Sequence, residues 1–122
     1  LWANTCCSHP RQGEELTEAV KRRLIEEAGI KCNVSELFSF VYRAEFANRL
    51  TEYELDHVFV GEYHGDFQRD PEETEDMKWI PLSQLISDLN DRPEIFAPWF
   101  IIAAPEVIKR YKGINNLIIS QE

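Results

Sequence analysis

Two long stretches with side chains of alternating character, separated by a short loop, constrain the fold of this chain most strongly. The first covers residues 37–46, the second covers residues 51–63, and residues 47–50 lie between them. On the first stretch one side is largely aromatic, with Phe38, Phe40, Tyr42 and Phe46. A period of two is that of a β-strand, in which successive side chains point to opposite faces. The sequence therefore predicts two strands joined by a loop.

A helix is predicted before these strands, over residues 17–28. Thr17 is suited to cap its N-terminus, and Gly29 stands where a C-cap glycine is expected. The apolar stripe of this helix consists of Leu16, Ala19, Val20, Leu24 and Ala28.

Arg23 and Glu27 lie on or beside that apolar stripe, where charged residues are not expected. One interpretation is a surface ion pair one helical turn apart. The other is that both side chains face a cleft. There Arg23 would grip a diphosphate and Glu27 would hold a Mg²⁺ ion that bridges the same oxygens.

The remaining pattern predicts a strand over 1–9, an acidic loop over 70–76, a short strand over 78–82, and helices over 82–89 and 97–111. Pro105 is expected to kink or divide the last helix. The order β, α, β, β and then helices predicts the α/β (α+β) class, as an α/β sandwich with a mixed sheet in a single domain over 1–122. Because Leu1 reads as the middle of a strand, we also expect an upstream segment.

Charge and cysteine content restrict the partners. A formal net charge of −9 and a pI near 4.8 argue against nucleic acid. No apolar run is long enough to cross a bilayer, and three cysteines, an odd number, favour a reducing compartment. We therefore expect a cytoplasmic protein with a small-molecule partner, and the sequence leaves its oligomeric state open.

The segment "NTCCSHP", residues 4–10, concentrates two of the cysteines with a histidine. Strand alternation places Cys7 and His9 on one face and Cys6 on the other. Cys7 and His9 are suited to acid–base chemistry at a thiol or to metal binding. A buried small cysteine beside a loop histidine is the plain structural alternative.

Three carboxylates share one face of the second long strand, at Glu52, Glu54 and Asp56. Their spacing of about 7 Å suits a divalent cation, and it equally suits the solvated face of an edge strand. The same face continues into Val58, which indicates partial burial. Trp99 and Tyr42 are core aromatics in the structural interpretation, and Trp99 is an aromatic wall for a cation in the functional one.

Taken together, these segments resemble a known family. "NTCCSHP", "GEELTEAVKRRLIEEAGI", "YRAEF", "EYELDHVF" and "APWF" occur in this order over nearly the whole chain. They are similar to type I isopentenyl-diphosphate delta-isomerases, and this resemblance implies the Nudix fold, an α/β/α sandwich with a mixed sheet. Aligned to the general Nudix box on Gly29, the chain has Arg23 where the hydrolases have a glutamate. That departure favours gripping a diphosphate without cleaving it.

The resemblance implies that isopentenyl diphosphate is isomerised to dimethylallyl diphosphate. Cys7 and Glu54 match the catalytic residues on opposite faces of the substrate, Tyr42 matches a tyrosine that assists near the glutamate, and Trp99 matches the aromatic that faces the cation. Arg23 matches an arginine that contacts the diphosphate.

The resemblance also implies two metal sites. His9, Glu52 and Glu54 match ligands of one divalent metal (Mn²⁺, Mg²⁺ or Zn²⁺), and Glu27 matches a carboxylate associated with Mg²⁺ on the substrate diphosphate. The family takes two further histidines from a segment upstream of the cysteine.

Two other functions remain open at this point. A Nudix-type diphosphate hydrolase would use Glu14, Glu26 and Glu27 as its metal-binding core. A degenerate Nudix module would bind a diphosphate or a protein partner without turnover.

Overall fold

The computed structural model of the chain describes residues 1–6, 10–45 and 49–121, except for the side chains of Ala44 and Glu52. Its elements follow in the order β1 (Trp2–Ala3), α1 (Leu16–Ala28), β2 (Val34–Glu45), β3 (Thr51–Gly61), β4 (Asp76–Pro81), α2 (Leu82–Asp91), a 3₁₀ turn (Pro93–Ile95), α3 (Pro98–Arg110) and β5 (Asn116–Gln121). The predicted helices and the two long strands are confirmed, with small changes at their ends.

The strands β2 and β3 form an antiparallel pair in which Tyr42 lies opposite Glu54. The register shifts between Glu36 and Phe38, so that one strand carries an extra residue there. Such a bulge turns the preceding side chain to the other face of the ladder. Glu36 consequently lies on the face of His57, and its carboxylate contacts the His57 Nδ1 atom.

A separate three-stranded sheet has the order β1, β5, β4, with β5 in the middle. The expected mixed sheet was wrong for the described residues, because β5 pairs antiparallel with both neighbours. The parallel contact between Trp2 and Phe96 is an isolated bridge. The sequence did not predict β5, since its short apolar run lacks alternation, as is common in strands covered on both faces.

Helices cover both faces of this sheet. On one side Met77 and Ile118 pack with Ala28 of α1, and on the other Ile119 packs in a cluster with Leu85 of α2 and Phe100 of α3. Ile118 and Ile119 are neighbours in β5 and so point to opposite faces. The α/β/α layering predicted from the sequence is confirmed.

The ends of α1 agree in part with the prediction. Glu15, in an extended conformation, is the N-cap instead of Thr17, and its carbonyl oxygen accepts a hydrogen bond from the Ala19 N–H at 3.0 Å. Gly29 ends the helix as predicted, with φ of 64°, and its N–H donates to the Ile25 carbonyl at 2.9 Å. A positive φ is what favours glycine at this position.

The helix α3 is continuous through Pro105, so the expected division does not occur. Proline removes one backbone donor and leaves the carbonyl four residues earlier, that of Ile101, without its helical partner. Ile101 lies at the exposed surface, where water can satisfy that oxygen. Within the described ranges, none of the helices is both long and apolar enough to span a membrane.

Candidate active site

Three of the predicted site residues meet where β2 and β3 face α3. Tyr42 and Glu54 are directly opposite each other in the ladder and share a face, and Glu54 is exposed. The ring of Trp99, in the first turn of α3, meets the ring of Tyr42 edge to face, with centroids 6.4 Å apart and planes at 80°. This places an aromatic pair beside a carboxylate that is accessible to a ligand.

The segment that leads to Cys7 is held against this aromatic pair. The Trp99 indole N–H donates to Asn4 Oδ1 at 2.9 Å, and Asn4 Nδ2 donates to the Cys6 carbonyl oxygen at 2.6 Å. The Thr5 hydroxyl donates to the Ile118 carbonyl in β5 at 3.0 Å. Sequence reasoning did not single out Asn4, whose partner is far along the chain; its only signal was a polar side chain inside "NTCCSHP".

Several predicted residues fall outside what the structure describes. Cys7 and His9 lie outside the described residues, and the side chain of Glu52 is not described. Among the described side chains, no group of three or more His, Cys, Asp or Glu residues is placed to hold a metal ion. The metal site of His9, Glu52 and Glu54 therefore stays a prediction.

Arg23 lies at the centre of an ion-pair network on α1. It bonds to Glu26 at 2.7 Å, to Glu27, and to Glu73 at 3.1 Å. Desolvation opposes the charged form of Arg23, but the hydrogen bond that Arg23 donates to Glu26 and the attraction to Glu27 raise its pKa overall. The Glu27 side chain is only 8% exposed. This confirms the prediction that Arg23 and Glu27 lie beside the buried stripe of the helix.

A loop after β3 brings Glu73 to Arg23. The Gln68 N–H donates to the Ala28 carbonyl at 2.7 Å, and the Asp70 N–H donates to the Glu27 carbonyl at 2.9 Å. These bonds fasten the loop to the C-terminal end of α1. Glu73 itself is partly exposed, with 42% of its side chain accessible, and is thus the most accessible of Arg23's carboxylate partners.

Arg22 organises the neighbouring carboxylates. Its Nε donates to Glu14 at 2.9 Å, and its Nη1 donates to Glu26 at 3.2 Å. The bond from Arg22, followed by one from the backbone N–H of Arg11, lowers the pKa of Glu14 to about 2. Arg23 and Arg22 together lower the pKa of Glu26 as well. Each carboxylate that a hydrolase would use, at Glu14, Glu26 and Glu27, is thus bound by an arginine.

Comparison with known proteins identifies the family. The NUDIX domain model matches residues 1–100. This chain belongs to the Nudix family. The α/β/α layering is therefore that of a Nudix domain, with α1 carrying the segment that the sequence aligned to the Nudix box.

Named relatives of this Nudix chain are isomerases. Isopentenyl-diphosphate Delta-isomerase 1 of Aromatoleum aromaticum is 50% identical over 108 residues, which is 88% of this chain and 61% of that protein. Isopentenyl-diphosphate Delta-isomerase 2 of the same organism is 46% identical, over 88% of this chain and 57% of that protein. Isopentenyl-diphosphate Delta-isomerase of Cereibacter sphaeroides is 43% identical, over 93% of this chain and 66% of that protein. The chain thus spans less than two thirds of the length of these relatives.

Proposed function

We propose that the protein isomerises isopentenyl diphosphate to dimethylallyl diphosphate. The observation that carries this proposal is the placing of Glu54 opposite Tyr42, with Trp99 against Tyr42 and the segment leading to Cys7 bonded to Trp99. The names of relatives at 41–50% identity support it.

The reaction shifts a double bond by moving two protons. One of Cys7 and Glu54 delivers a proton to the terminal alkene carbon, which leaves a tertiary carbocation-like centre. The other residue removes a proton from the adjacent methylene, and those electrons form the new double bond. Exchange with solvent then restores both residues, so that atoms and charge balance over one turnover.

Aromatic residues suit the species between these steps. An alkene is a very weak base, and its protonated form is strongly electrophilic. The π face of Trp99 stabilises positive charge without offering a lone pair that would trap it. Tyr42 packs edge to face against that ring, and it is the cross-strand partner of Glu54.

The diphosphate is assigned to the α1 side, to Arg23 and Glu27. Mg²⁺ prefers oxygen ligands such as the buried Glu27 carboxylate. This carboxylate already forms an ion pair with the Arg23 guanidinium. When bound there, Mg²⁺ would neutralise charge on the phosphate oxygens. Glu27 would hold the ion and Arg23 would bond to the diphosphate, which gives a locally favourable site in a chain of net charge −9.

The second divalent metal is assigned to His9, Glu52 and Glu54, following the family resemblance. Glu54 would then be fixed in orientation by the metal as well as by the strand. The cytoplasm is the proposed compartment, since the odd cysteine count suits a reducing environment.

One assay separates the isomerase from a Nudix-type hydrolase. The full natural protein is incubated with isopentenyl diphosphate and Mg²⁺, and both dimethylallyl diphosphate and released phosphate are followed. We expect the allylic diphosphate with no phosphate release. Release of phosphate or a monophosphate product without the allylic diphosphate would refute the proposal, and so would binding of the substrate without any turnover.

A further inference from the structure

We propose that Asn4 is a positioning residue of the active site. Its amide joins the aromatic wall at Trp99 to the backbone segment that leads into the catalytic Cys7. This inference rests on the proposed isomerase function, and it assigns a role to a residue that neither the sequence motifs nor the carboxylate pattern singled out.

Both ends of the Asn4 amide are used. The oxygen accepts the indole N–H of Trp99 at 2.9 Å, and the nitrogen donates to the Cys6 carbonyl at 2.6 Å. Both bonds are partly buried, where a hydrogen bond is less exposed to competition from water. A single short side chain therefore connects α3 to the start of the chain.

The bond to Trp99 fixes the plane of its ring. An indole has one donor, Nε1, and a hydrogen bond at that atom restricts the rotation of the ring about its side-chain bonds. The edge-to-face contact with Tyr42 depends on the same ring plane. A cation is stabilised by the face of an aromatic ring, so the orientation of the ring affects the reaction directly.

The bond to Cys6 acts on the other side of the site. The Cys6 carbonyl is one half of the peptide group that leads into Cys7, and a peptide group is planar. The Asn4 bond therefore orients the Cys6 carbonyl, in the last described residue before Cys7. Asn4 thus links the aromatic wall to the backbone that precedes Cys7, in a site where a misplacement of about 1 Å can cost 100-fold in rate.

The proposed diphosphate end is built from other elements. Arg23 donates to Glu26, Glu27 and Glu73, which lie on α1 and on the loop after β3. Loss of the Asn4 amide should therefore change the chemical step and leave substrate affinity largely intact. If Asn4 had a purely structural role, its loss would lower the stability of the protein but would not lower kcat selectively while KM stayed unchanged.

The test compares two changes of similar side-chain size in the full natural protein, Asn4→Leu and Gln84→Met. Gln84 also makes a partly buried bond, to Asp88 within α2, and it lies outside the candidate active site. For Asn4→Leu we expect kcat to fall about 10- to 100-fold with KM within about twofold, the loss that two hydrogen bonds and a misplaced group produce. For Gln84→Met we expect kcat within about threefold of the unchanged protein, with any loss confined to thermal stability. Equal losses of kcat in the two variants, or normal kcat in Asn4→Leu, would overturn the proposal.

Asn4→Asp keeps the experiment informative if Asn4→Leu does not fold. Its carboxylate still accepts the Trp99 N–H, but the ionised group has no hydrogen to donate to Cys6. We expect kcat to fall here also. Full activity would show that the bond to Cys6 has no role, which contradicts the proposed link.

A spectroscopic readout separates this inference from the proposed function. The protein is labelled with ¹⁵N at tryptophan, and the indole signal of Trp99 is assigned with Trp99→Phe. We expect the signal to shift and to exchange faster with water in Asn4→Leu, and to remain near its place in Asn4→Asp. An unchanged Trp99 signal in Asn4→Leu would refute the link, whether or not the protein is an isomerase. A changed signal in a protein without isomerase activity would instead refute the proposed function.

Discussion

The two ends of the candidate site differ in the chemistry of their side chains, which are charged at one end and aromatic at the other. On α1, the guanidinium groups of Arg22 and Arg23 each donate hydrogen bonds to two or more carboxylates. Between β2 and α3, the contacts are an aromatic pair, Tyr42 and Trp99, and the amide of Asn4. At the α1 end, Arg23 would have to give up a carboxylate partner before it could bind an anion. At the other end, the ring of Trp99 is already held in one orientation.

This difference fits a substrate with a charged head and an apolar tail. Ion pairs near a surface are weak and exchangeable, so the proposed exchange of Glu73 for a diphosphate at Arg23 would cost little free energy. Rings fixed by packing and one hydrogen bond are harder to move, which is what a short-lived cation requires. The comparison predicts that changes at the aromatic end alter kcat, and changes at the charged end alter KM.

The largest effect is expected at the aromatic end, from Glu54→Gln or Cys7→Ala. General acid–base residues contribute about 100- to 10,000-fold, so each change should reduce turnover by at least about 100-fold while the fold remains. Turnover is measured from the formation of dimethylallyl diphosphate, and folding from the circular dichroism spectrum.

Glu36→Gln is the matched control for Glu54→Gln. Glu36 lies on the same pair of strands but, because of the bulge, on the face of His57. We expect nearly unchanged turnover. A similar loss in both glutamine variants would mean that the charge of the strands, not the place of Glu54, matters.

A smaller effect is expected from Trp99→Leu. Loss of a cation–π contact of about 1–2 kcal/mol lowers kcat about 5- to 30-fold, and Trp99→Phe should recover part of that loss because it keeps a π face. Trp79→Leu, in β4, serves as the control. Equal kcat in the leucine and phenylalanine variants of Trp99 would show that the π face of this residue does not stabilise the cation.

At the charged end, Glu73→Gln is expected to strengthen binding. It removes an internal competitor for Arg23, and exposed ion pairs of this kind correspond to about a two- to fivefold change in affinity. The dissociation constant of inorganic pyrophosphate is measured by calorimetry in the presence of Mg²⁺. Glu72→Gln, in the same exposed loop, controls for the loss of a negative charge, and an equal effect in both variants would contradict a specific exchange at Arg23.

The smallest effect concerns stability at low pH. Arg22 lowers the folded-state pKa of Glu14 from 4.5 to about 2, so its contribution to stability is present above pH 4.5 and is lost as the pH falls toward 2. Glu14→Gln should therefore lower the melting temperature at pH 6 and have little effect near pH 2. A melting-temperature difference that stays constant from pH 6 to pH 2 would show that this ion pair is not the cause.

Local pattern predicted the elements and part of the site. Alternation predicted β2 and β3, and Gly29 marked the end of α1, because both signals lie within a few residues. Arg23 and Glu27 stood out as charges on an apolar stripe. These features depend on neighbours in sequence, and the structure confirms them.

The remaining features depend on residues that are distant in sequence. The bond from Trp99 to Asn4 spans 95 positions, and that from Arg23 to Glu73 spans 50. No local period indicates such contacts. The bulge that moves Glu36 to the face of His57 also breaks the alternation on which strand prediction depends.

In the proposed reaction the protein moves a proton onto the alkene carbon of the substrate and removes another from the adjacent methylene. The decisive experiment incubates isopentenyl diphosphate with the full natural protein and Mg²⁺ in deuterated water and follows the products by NMR. We expect dimethylallyl diphosphate that carries deuterium in a methyl group. Release of phosphate or diphosphate, with no deuterium in either product or recovered substrate, would contradict the proposed reaction.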